Sequence, residues 1–314
     1  MPSPADDLIS TDIDLALRRI RNGGLVAIPT ETVYGLAADA EQPDAVARVF
    51  AVKDRPTDHP LIIHLAGIDR IDGWVDHLPD RALLLAEACW PGPLTMLVTR
   101  GSRVADSITG GRDTVGLRVP SHPVTQELLR RHGGGLAAPS ANRYGRVSPT
   151  TAQHVFDDLA GHLDPRRDLI LDGGPCRIGV ESTIVDLTVE PPQVLRSGAI
   201  SADDIERLTS RPVAAASGPS RAAGMTESHY APRCEVVLAG DHDEAQEIAE
   251  QRRAAGESVE LLDRTDDLVV AAQQLYADLR AADRRRVEVL VVVLPPAEGI
   301  GHALRDRLTK AAAR

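Results

Sequence analysis

Residues 11–35, TDIDLALRRIRNGGLVAIPTETVYG, set the reading of the whole chain. Ile13, Leu17 and Ile20 recur at helical spacing, and Gly23-Gly24 supply the stop. LVAIP then reads as a buried strand running into the polar loop TETVYG. Helix and strand signals alternate from there. RVF ends a short helix near residue 50, PLIIHLA is a strand, PDRALLLAEACW a helix and PLTMLVTR a strand. TVGLRVP, LAAPS, LILDGG, STIVDL and VLRSG are further predicted strands, and HPVTQELLRRHGG and TAQHVFDDLAG further helices. SADDIERL is a helix opened by a capping-box-like Ser201 with Asp204. Alternation of this kind predicts an α/β sheet covered by helices. Not every crossover contains a helix, so the sheet is expected to be twisted and mixed, not purely parallel.

Composition shifts at 211–233, RPVAAASGPSRAAGMTESHYAPR, where small residues dominate and no periodicity holds. This stretch is a linker by composition. Its end, MTESHYAP, still carries a His and a Tyr that a spacer does not need. Beyond it CEVVLAG, SVELLD and VEVLVVVLPP read as strands, with helices near 243–255, 267–282 and 301–313. The expected organisation is a catalytic domain over 1–210, a linker or lid over 211–233, and a small Rossmann-like α/β domain over 234–314. The first turn of that small domain, LAGDHDEA, lacks the G-x-G-x-x-G of a dinucleotide site.

The chain has 314 residues, 43% hydrophobic and only 3% aromatic, so its cores must be built from aliphatic side chains. Residues 1–210 carry 21 Lys/Arg against 29 Asp/Glu, and 211–314 carry 14 against 17. Neither half is basic, which disfavours general nucleic-acid binding by phosphate neutralisation. Cys89, Cys176 and Cys234 lack any CxxC spacing, which argues against a disulfide framework or a cysteine-based zinc site. MPSPADDLIS has no apolar signal region, and VEVLVVVLPP is too short to span a bilayer. A cytoplasmic protein is the expectation.

Lysine is scarce: only Lys53 and Lys310 occur among 35 basic residues. Lys53 sits in AVKDRPTDHPLIIH, close to Arg55, His59 and His64. Its survival is either chance or the need for a compact ammonium that a planar guanidinium cannot replace, phosphate binding being the usual reason. PTETVYG, KDRPTDHPLIIH, APSANRYGRVSPT and GVESTIVDL are all rich in hydroxyls and charges at strand ends. In TVGLRVP, Arg118 lies inside an apolar strand, where it must be paired internally or face a cleft and capture a carboxylate or phosphate. Ser140 and Asn142 alternate along a segment read as extended, which would point both to one face and suit an adenosine or phosphate ligand; taken alone, a simple turn capped by Ser and Asn is the better explanation. Glu31 and Glu181 are either general bases or loop hydrogen-bond acceptors. No GxxxxGK[ST], HExxH or GxSxG occurs.

Taken together, PTETVYGL, KDRP with HPLIIH, TVGLRVP, APSAN with SPT, GVESTIVDL, LRSGAI and the linker end GMTESHYAP resemble the Sua5/YrdC family, over nearly the whole chain. The small C-terminal domain looks like the longer, two-domain Sua5 form. The resemblance implies a twisted α/β sheet with a concave active face. It implies ATP-dependent condensation of L-threonine and bicarbonate into threonylcarbamoyl adenylate, with release of pyrophosphate. The product would feed tRNA threonylcarbamoyladenosine formation through a downstream transferase. By the same resemblance Lys53 and Arg55 would meet the ATP phosphates, and Ser140 and Asn142 would complete the nucleotide and metal site. Mg²⁺ would be held through ATP phosphates and waters, with no direct protein ligand. His59, Thr114, Ser148, Arg196 and Tyr230 would also touch ATP. Thr32, His64, Arg118, Ala138 and Ser182 would surround threonine.

The chain departs from the family pattern at three places. His59 stands where an Asn is usual, Tyr144 where a small serine is expected, and no basic residue precedes His229. Two rival readings remain at the level of sequence: a non-catalytic RNA-binding module of the same fold, and another carbamoyl-adenylate-forming enzyme. Net acidity speaks against the first. The absence of Cys clusters and of an acylphosphatase-like module speaks against a hydrogenase-maturation enzyme.

Overall fold

A computed structural model describes residues 8–218, 221–222 and 230–313. Among them, eleven strands form one mixed sheet. Their order is Ile9–Ser10, Leu169–Leu171, Val26–Ile28, Gly35–Asp39, Leu136–Ala137, Ile62–His64, Thr114–Arg118, Leu94–Thr99, Thr183–Asp186, Gln193–Arg196 and Ala214–Ala215. Parallel and antiparallel pairings alternate irregularly, as the missing crossover helices require.

The two halves of this sheet are covered differently. Near Val26–Ile28 the period-two alternation of a strand sends apolar side chains to both faces. Val26, Ile28, Leu169 and Leu171 pack with Ala16, Leu17 and Ile20 of helix Ile13–Arg21 and with Leu128 and Leu129 of helix Pro123–His132. Ala27 and Ile170 pack on the opposite side with helices Pro43–Lys53 and Ala152–Leu159. Further along, Ile63, Met96, Val98, Val115 and Leu117 pack against helix Asp80–Cys89. On the reverse face of those strands Leu97, Ile184 and Leu195 pack, among the described residues, with Ile62 and with Ala222. A sheet face without a helix is where a ligand can reach the strands.

Several short elements escaped the sequence reading, strand Ile9–Ser10 and helix Asp106–Thr109 among them, and two further strands show why. Gly35–Asp39, GLAAD, is a buried strand made of residues with low strand propensity. Ala214–Ala215 lies inside the predicted linker yet pairs in parallel with Gln193–Val194; two alanines paired through their backbones leave no side-chain pattern to read. The sheet therefore continues past residue 210. Ala222 and Tyr230 are also buried, so described parts of 211–233 pack on the domain. Met225 and His229 lie outside the described residues.

The second sheet orders Glu235–Ala239, Val289–Val293 and Val259–Leu262 in parallel, with helices His242–Ala254, Leu268–Arg285 and Gly301–Ala312 around it. Its core is not closed on itself. Val33, Val147 and Val180 of the first domain belong to the same apolar cluster as Leu275, Leu279, Leu304 and Leu308.

Candidate active site

The helix-free face is organised around Arg118. Thr114, Gly116 and Arg118 share it by strand alternation, and Arg118 is paired in register with His64 on one side and Thr95 on the other. A cavity of about 50 Å³ opens there. Its walls include Thr32, His64, Arg118, Ala138 and Ser182, all five residues expected around threonine. Arg55, Ser140, Arg196 and Tyr230, expected at the nucleotide, line it as well. Lys53, His59, Thr114, Asn142 and Ser148 do not. A larger polar cleft of about 600 Å³ between the domains is lined by Arg143, Tyr144, Asp158 and Arg280 among others, and by none of the five.

The loop leading into the site is shaped by Thr30. Its hydroxyl accepts from the backbone N–H groups of Thr32 and Val33 and donates to the Val33 carbonyl at 2.6 Å, a side-chain-closed turn. That turn presents Glu31, whose Oε1 accepts from Arg118 Nη2 at 2.7 Å and whose Oε2 accepts from Ser121 N at 3.0 Å. The internal pair expected of Arg118 is present, and Arg118 also lines the cavity. Burial opposes the charge on Glu31, but the Arg118 guanidinium outweighs it and lowers the carboxyl below its usual range. Glu31 is thus a hydrogen-bond acceptor already in use. His64 is buried, and its Nδ1 has no partner among the described residues. Burial, then the Arg118 charge, pushes its pKa down to about 3, so the imidazole is neutral at physiological pH.

Ser182 lies beside this row. Its Oγ is 2.8 Å from Thr95 Oγ1, and its Oγ and carbonyl both accept from Arg196 at 3.0 Å. Glu181 is fully engaged too: Oε1 accepts from Ser148 Oγ at 2.6 Å, and Oε2 accepts from Tyr276 Oη at 2.7 Å and Arg307 Nε at 2.8 Å. Burial would raise its pKa, but Arg307 and then Arg196 bring it down to about 2. Of the two readings of Glu181, the acceptor stands. Ser148, expected on ATP, is spent on this carboxylate.

Lys53 lies outside the cavity lining. Helix Pro43–Lys53 ends at Asp54 in the left-handed conformation, φ 55°, which turns Arg55 toward the cavity and leaves Lys53 inside. Lys53 is 1% exposed, and its ammonium donates to the carbonyls of Ser140 and Asn142, both at 2.5 Å. It ties down the APSAN loop and does not line the cavity. Its ammonium acts as a point donor between two carbonyls. Burial, then Arg55, lowers its pKa well below the ordinary value.

Ser140 and Asn142 do not share a face, because the segment turns. Ser140 lines the cavity, while Asn142 Nδ2 donates back to the carbonyls of Arg143 and Arg146 at 2.9 and 2.7 Å. That fixes its Oδ1 as a buried acceptor without a partner among the described residues. Arg55 donates through Nη2 to Pro60 O at 3.0 Å, and its buried Nε has no partner among them.

The two departures at 59 and 144 meet. His59 Nδ1 lies 3.2 Å from Tyr144 Oη, and the Arg55 guanidinium sits 5.9 Å from the Tyr144 ring centroid. Tyr144 N donates to Lys53 O at 2.9 Å, which anchors the pair to the lysine turn. Thr114 is half-buried at the far end of the Arg118 strand, about 13 Å from it at 3.3 Å per residue. Tyr230 is 1% exposed and holds φ 64°, a conformation a bulky residue rarely adopts.

The sequence profile of Sua5, YciO and YrdC proteins, described as "Telomere recombination", matches residues 18–198. The chain belongs to the Sua5/YrdC family. A second profile, "Threonylcarbamoyl-AMP synthase, C-terminal domain", matches residues 200–313, so the chain is of the two-domain Sua5 type. Threonylcarbamoyl-AMP synthase of Pyrococcus abyssi is 39% identical, over 95% of this chain and 93% of its own. The synthase of Bacillus subtilis is 35% identical, over 98% and 95%. The crystal structure of P. abyssi Sua5 complexed with L-threonine superposes with a TM-score of 0.89 at 38% identity, covering 96% of this chain and 94% of that one. Escherichia coli YciO, at 22% identity and a TM-score of 0.52, shares the fold of the first domain.

The sequence reading missed Thr95, a wall-supporting hydroxyl hidden in an apolar strand, and Tyr276 and Arg307, which reach Glu181 from the second domain. Thr95 could have been found from its alternation with Leu94 and Met96. Nothing local marks Arg307 in a chain so rich in arginine.

Proposed function

We propose that this Sua5-type protein synthesises L-threonylcarbamoyl adenylate from L-threonine, bicarbonate and ATP. The observation that carries the reading is the cavity lining itself. A cationic row, Arg55, Arg118 and Arg196, surrounds buried polar atoms, Arg55 Nε and His64 Nδ1, that lack partners among the described residues. Such a site calls for an anionic, hydrogen-bonding ligand. Arg118 is suited to the threonine carboxylate, and neutral His64 to its hydroxyl or amine. Ala138 and the Thr32 methyl supply apolar contact for the threonine side chain.

The amine must lose its proton to attack bicarbonate, giving a carbamate and water. A carbamate oxygen then attacks the α-phosphate, and pyrophosphate leaves. The protein's part is positioning and charge neutralisation by Arg55 and Arg196, with Ser140 beside them. Glu31 and Glu181 are committed to other partners and are not the proton acceptor. A Mg²⁺ ion would enter as a companion of ATP, held through phosphate and water oxygens and not by a direct protein ligand. Ser140, on the cavity wall, would lie nearest the ion, while Asn142 lies behind that wall; the ion would neutralise charge on the leaving pyrophosphate.

At about 50 Å³ the cavity has room for little more than one or two waters, against roughly 300–1,000 Å³ for a small-molecule site. Tyr230 must therefore withdraw for ATP to enter, and its strained φ is consistent with a residue that moves. Closure excludes water from a carbamate that decomposes readily. The adenylate would pass to a tRNA-modifying transferase in the cytoplasm. Among the described residues no helix is long and apolar enough to cross a membrane. The test is direct: incubate the protein with ATP, Mg²⁺, bicarbonate and isotopically labelled threonine, and separate the nucleotides. Label in an AMP-containing species supports the reading, and its absence refutes it.

A further inference from the structure

The second domain touches the active-site wall from behind, and it does so with buried polar groups. Arg307, on helix Gly301–Ala312, is 0% exposed. Its Nε donates to Glu181 Oε2 at 2.8 Å, its Nη2 to Ser197 O at 2.9 Å, and its guanidinium lies 5.1 Å from the Tyr230 ring centroid. Tyr276, on helix Leu268–Arg285, donates to the same Glu181 oxygen at 2.7 Å and stacks on Tyr230 with centroids 5.8 Å apart. Glu181 and Ser197 are each one residue from a cavity side chain, Ser182 and Arg196, which are themselves bonded to each other.

The approach is built in on the first domain's side as well. Gly179, two residues before Glu181, has φ +85°, and a Cβ there would fall 2.2 Å from the Ala272 carbonyl oxygen. Only glycine allows helix Leu268–Arg285 to come so near. Gln273 Nε2 then donates to Arg177 O at 2.8 Å, and Arg280 to Ser148 O at 3.4 Å. A domain serving as a tether would have no need to bury an arginine against the carboxylate that adjoins the substrate cavity.

We propose that Arg307 and Tyr276 are positioning residues for the synthase reaction. Together they clamp Glu181, and through it the Ser182–Arg196 pair, while seating Tyr230 over the cavity, so the second domain completes the active site. This inference rests on the function proposed above for that cavity. It predicts that loss of the clamp loosens Tyr230 and the cavity wall in a protein that is otherwise folded.

The variants are Arg307→Met, which keeps volume and removes charge, and Tyr276→Phe, which keeps the stacked ring and removes one hydrogen bond. Each is studied in the full chain at a temperature where circular dichroism shows it fully folded. Hydrogen exchange is followed at Tyr230–Cys234, at strand Thr183–Asp186 and at helix His242–Ala254. With Arg307→Met, amides at Tyr230–Cys234 should exchange about tenfold faster or more, while helix His242–Ala254 is unchanged. The kcat/KM for ATP should fall by about tenfold or more, and Tyr276→Phe should show the same pattern more weakly. Unchanged exchange at Tyr230–Cys234 in both variants, or activity loss only in proportion to unfolded protein, would overturn the proposal. If Arg307→Met does not fold, Tyr276→Phe and Arg307→Lys decide by the same readouts. The exchange arm does not depend on catalysis, so it stands apart from any failure of the proposed reaction.

Discussion

Replacing Arg118 by methionine separates its two duties. In the free protein the substitution leaves Glu31 as a buried carboxylate that has lost its 2.7 Å partner, with backbone N–H groups such as Ser121 N still donating to it. Breaking one side of a buried pair costs about 3–5 kcal/mol. For a domain near 200 residues that corresponds to a drop in Tm of roughly 6–20 °C, at 2–4 °C per kcal/mol. The double variant Glu31→Gln/Arg118→Met removes both charges and should recover most of that loss. Threonine binding should not recover with it, because the carboxylate partner is still missing. Loss of a buried charge partner is worth about 2–5 kcal/mol, or roughly 30- to 5,000-fold in affinity. Calorimetric unfolding and threonine titration on the two variants read the two effects separately. A double variant that is stable and binds threonine normally would show that Arg118 serves only the internal pair, and the assignment of the cavity to threonine would fall.

Lys53→Met should destabilise the protein by about 2–6 kcal/mol, since two buried carbonyls each lose a donor at 1–3 kcal/mol; chemical denaturation checks this, and a loss below about 1 kcal/mol would contradict the tether. Tyr230→Ala removes a buried, stacked ring and should cost about 3–5 kcal/mol of stability. At a temperature where the variant is folded it should raise threonine-independent ATP hydrolysis by opening the cavity to water; phosphate and pyrophosphate assays decide, and wild-type coupling would refute the sealing role. His64 has its folded pKa depressed to about 3 from an unfolded value near 6.5, so the folded state binds fewer protons between those limits. Its contribution is therefore present in full above pH 6.5 and is lost as pH falls toward 3, at about 1.4 kcal/mol per pH unit. Unfolding followed from pH 7 to 5 should show a shallower slope in His64→Asn, and identical slopes would contradict the neutral, buried imidazole.

Much of the fold was legible because its elements carry strong local signals. Helix Ile13–Arg21 with its glycine stop, the aliphatic strands and the Ser201–Asp204 capping box all depend on residues adjacent in sequence. Gly35–Asp39 and Ala214–Ala215 were not legible because their partners, not their side chains, make them strands. The five residues expected around threonine do converge on one cavity. The nucleotide side was less so. Lys53 and Asn142 lie behind the wall because a left-handed Asp54 and a turn after Ser140 rotate them away, and side-chain direction at such points does not follow from alternation. Arg307 and Tyr276 were invisible for a different reason: they act across a domain interface set by packing around Gly179. The coupled pair His59–Tyr144 shows the opposite case, two departures that look unrelated in sequence and explain each other in space.

The central claim is that this cavity joins threonine, bicarbonate and the α-phosphate of ATP. It is tested most directly by continuous measurement of pyrophosphate release from ATP and Mg²⁺, with threonine and bicarbonate added singly and together. The account predicts release only when both are present, with serine slower by roughly 10- to 200-fold for the missing methyl. Pyrophosphate released at the same rate without threonine would contradict it.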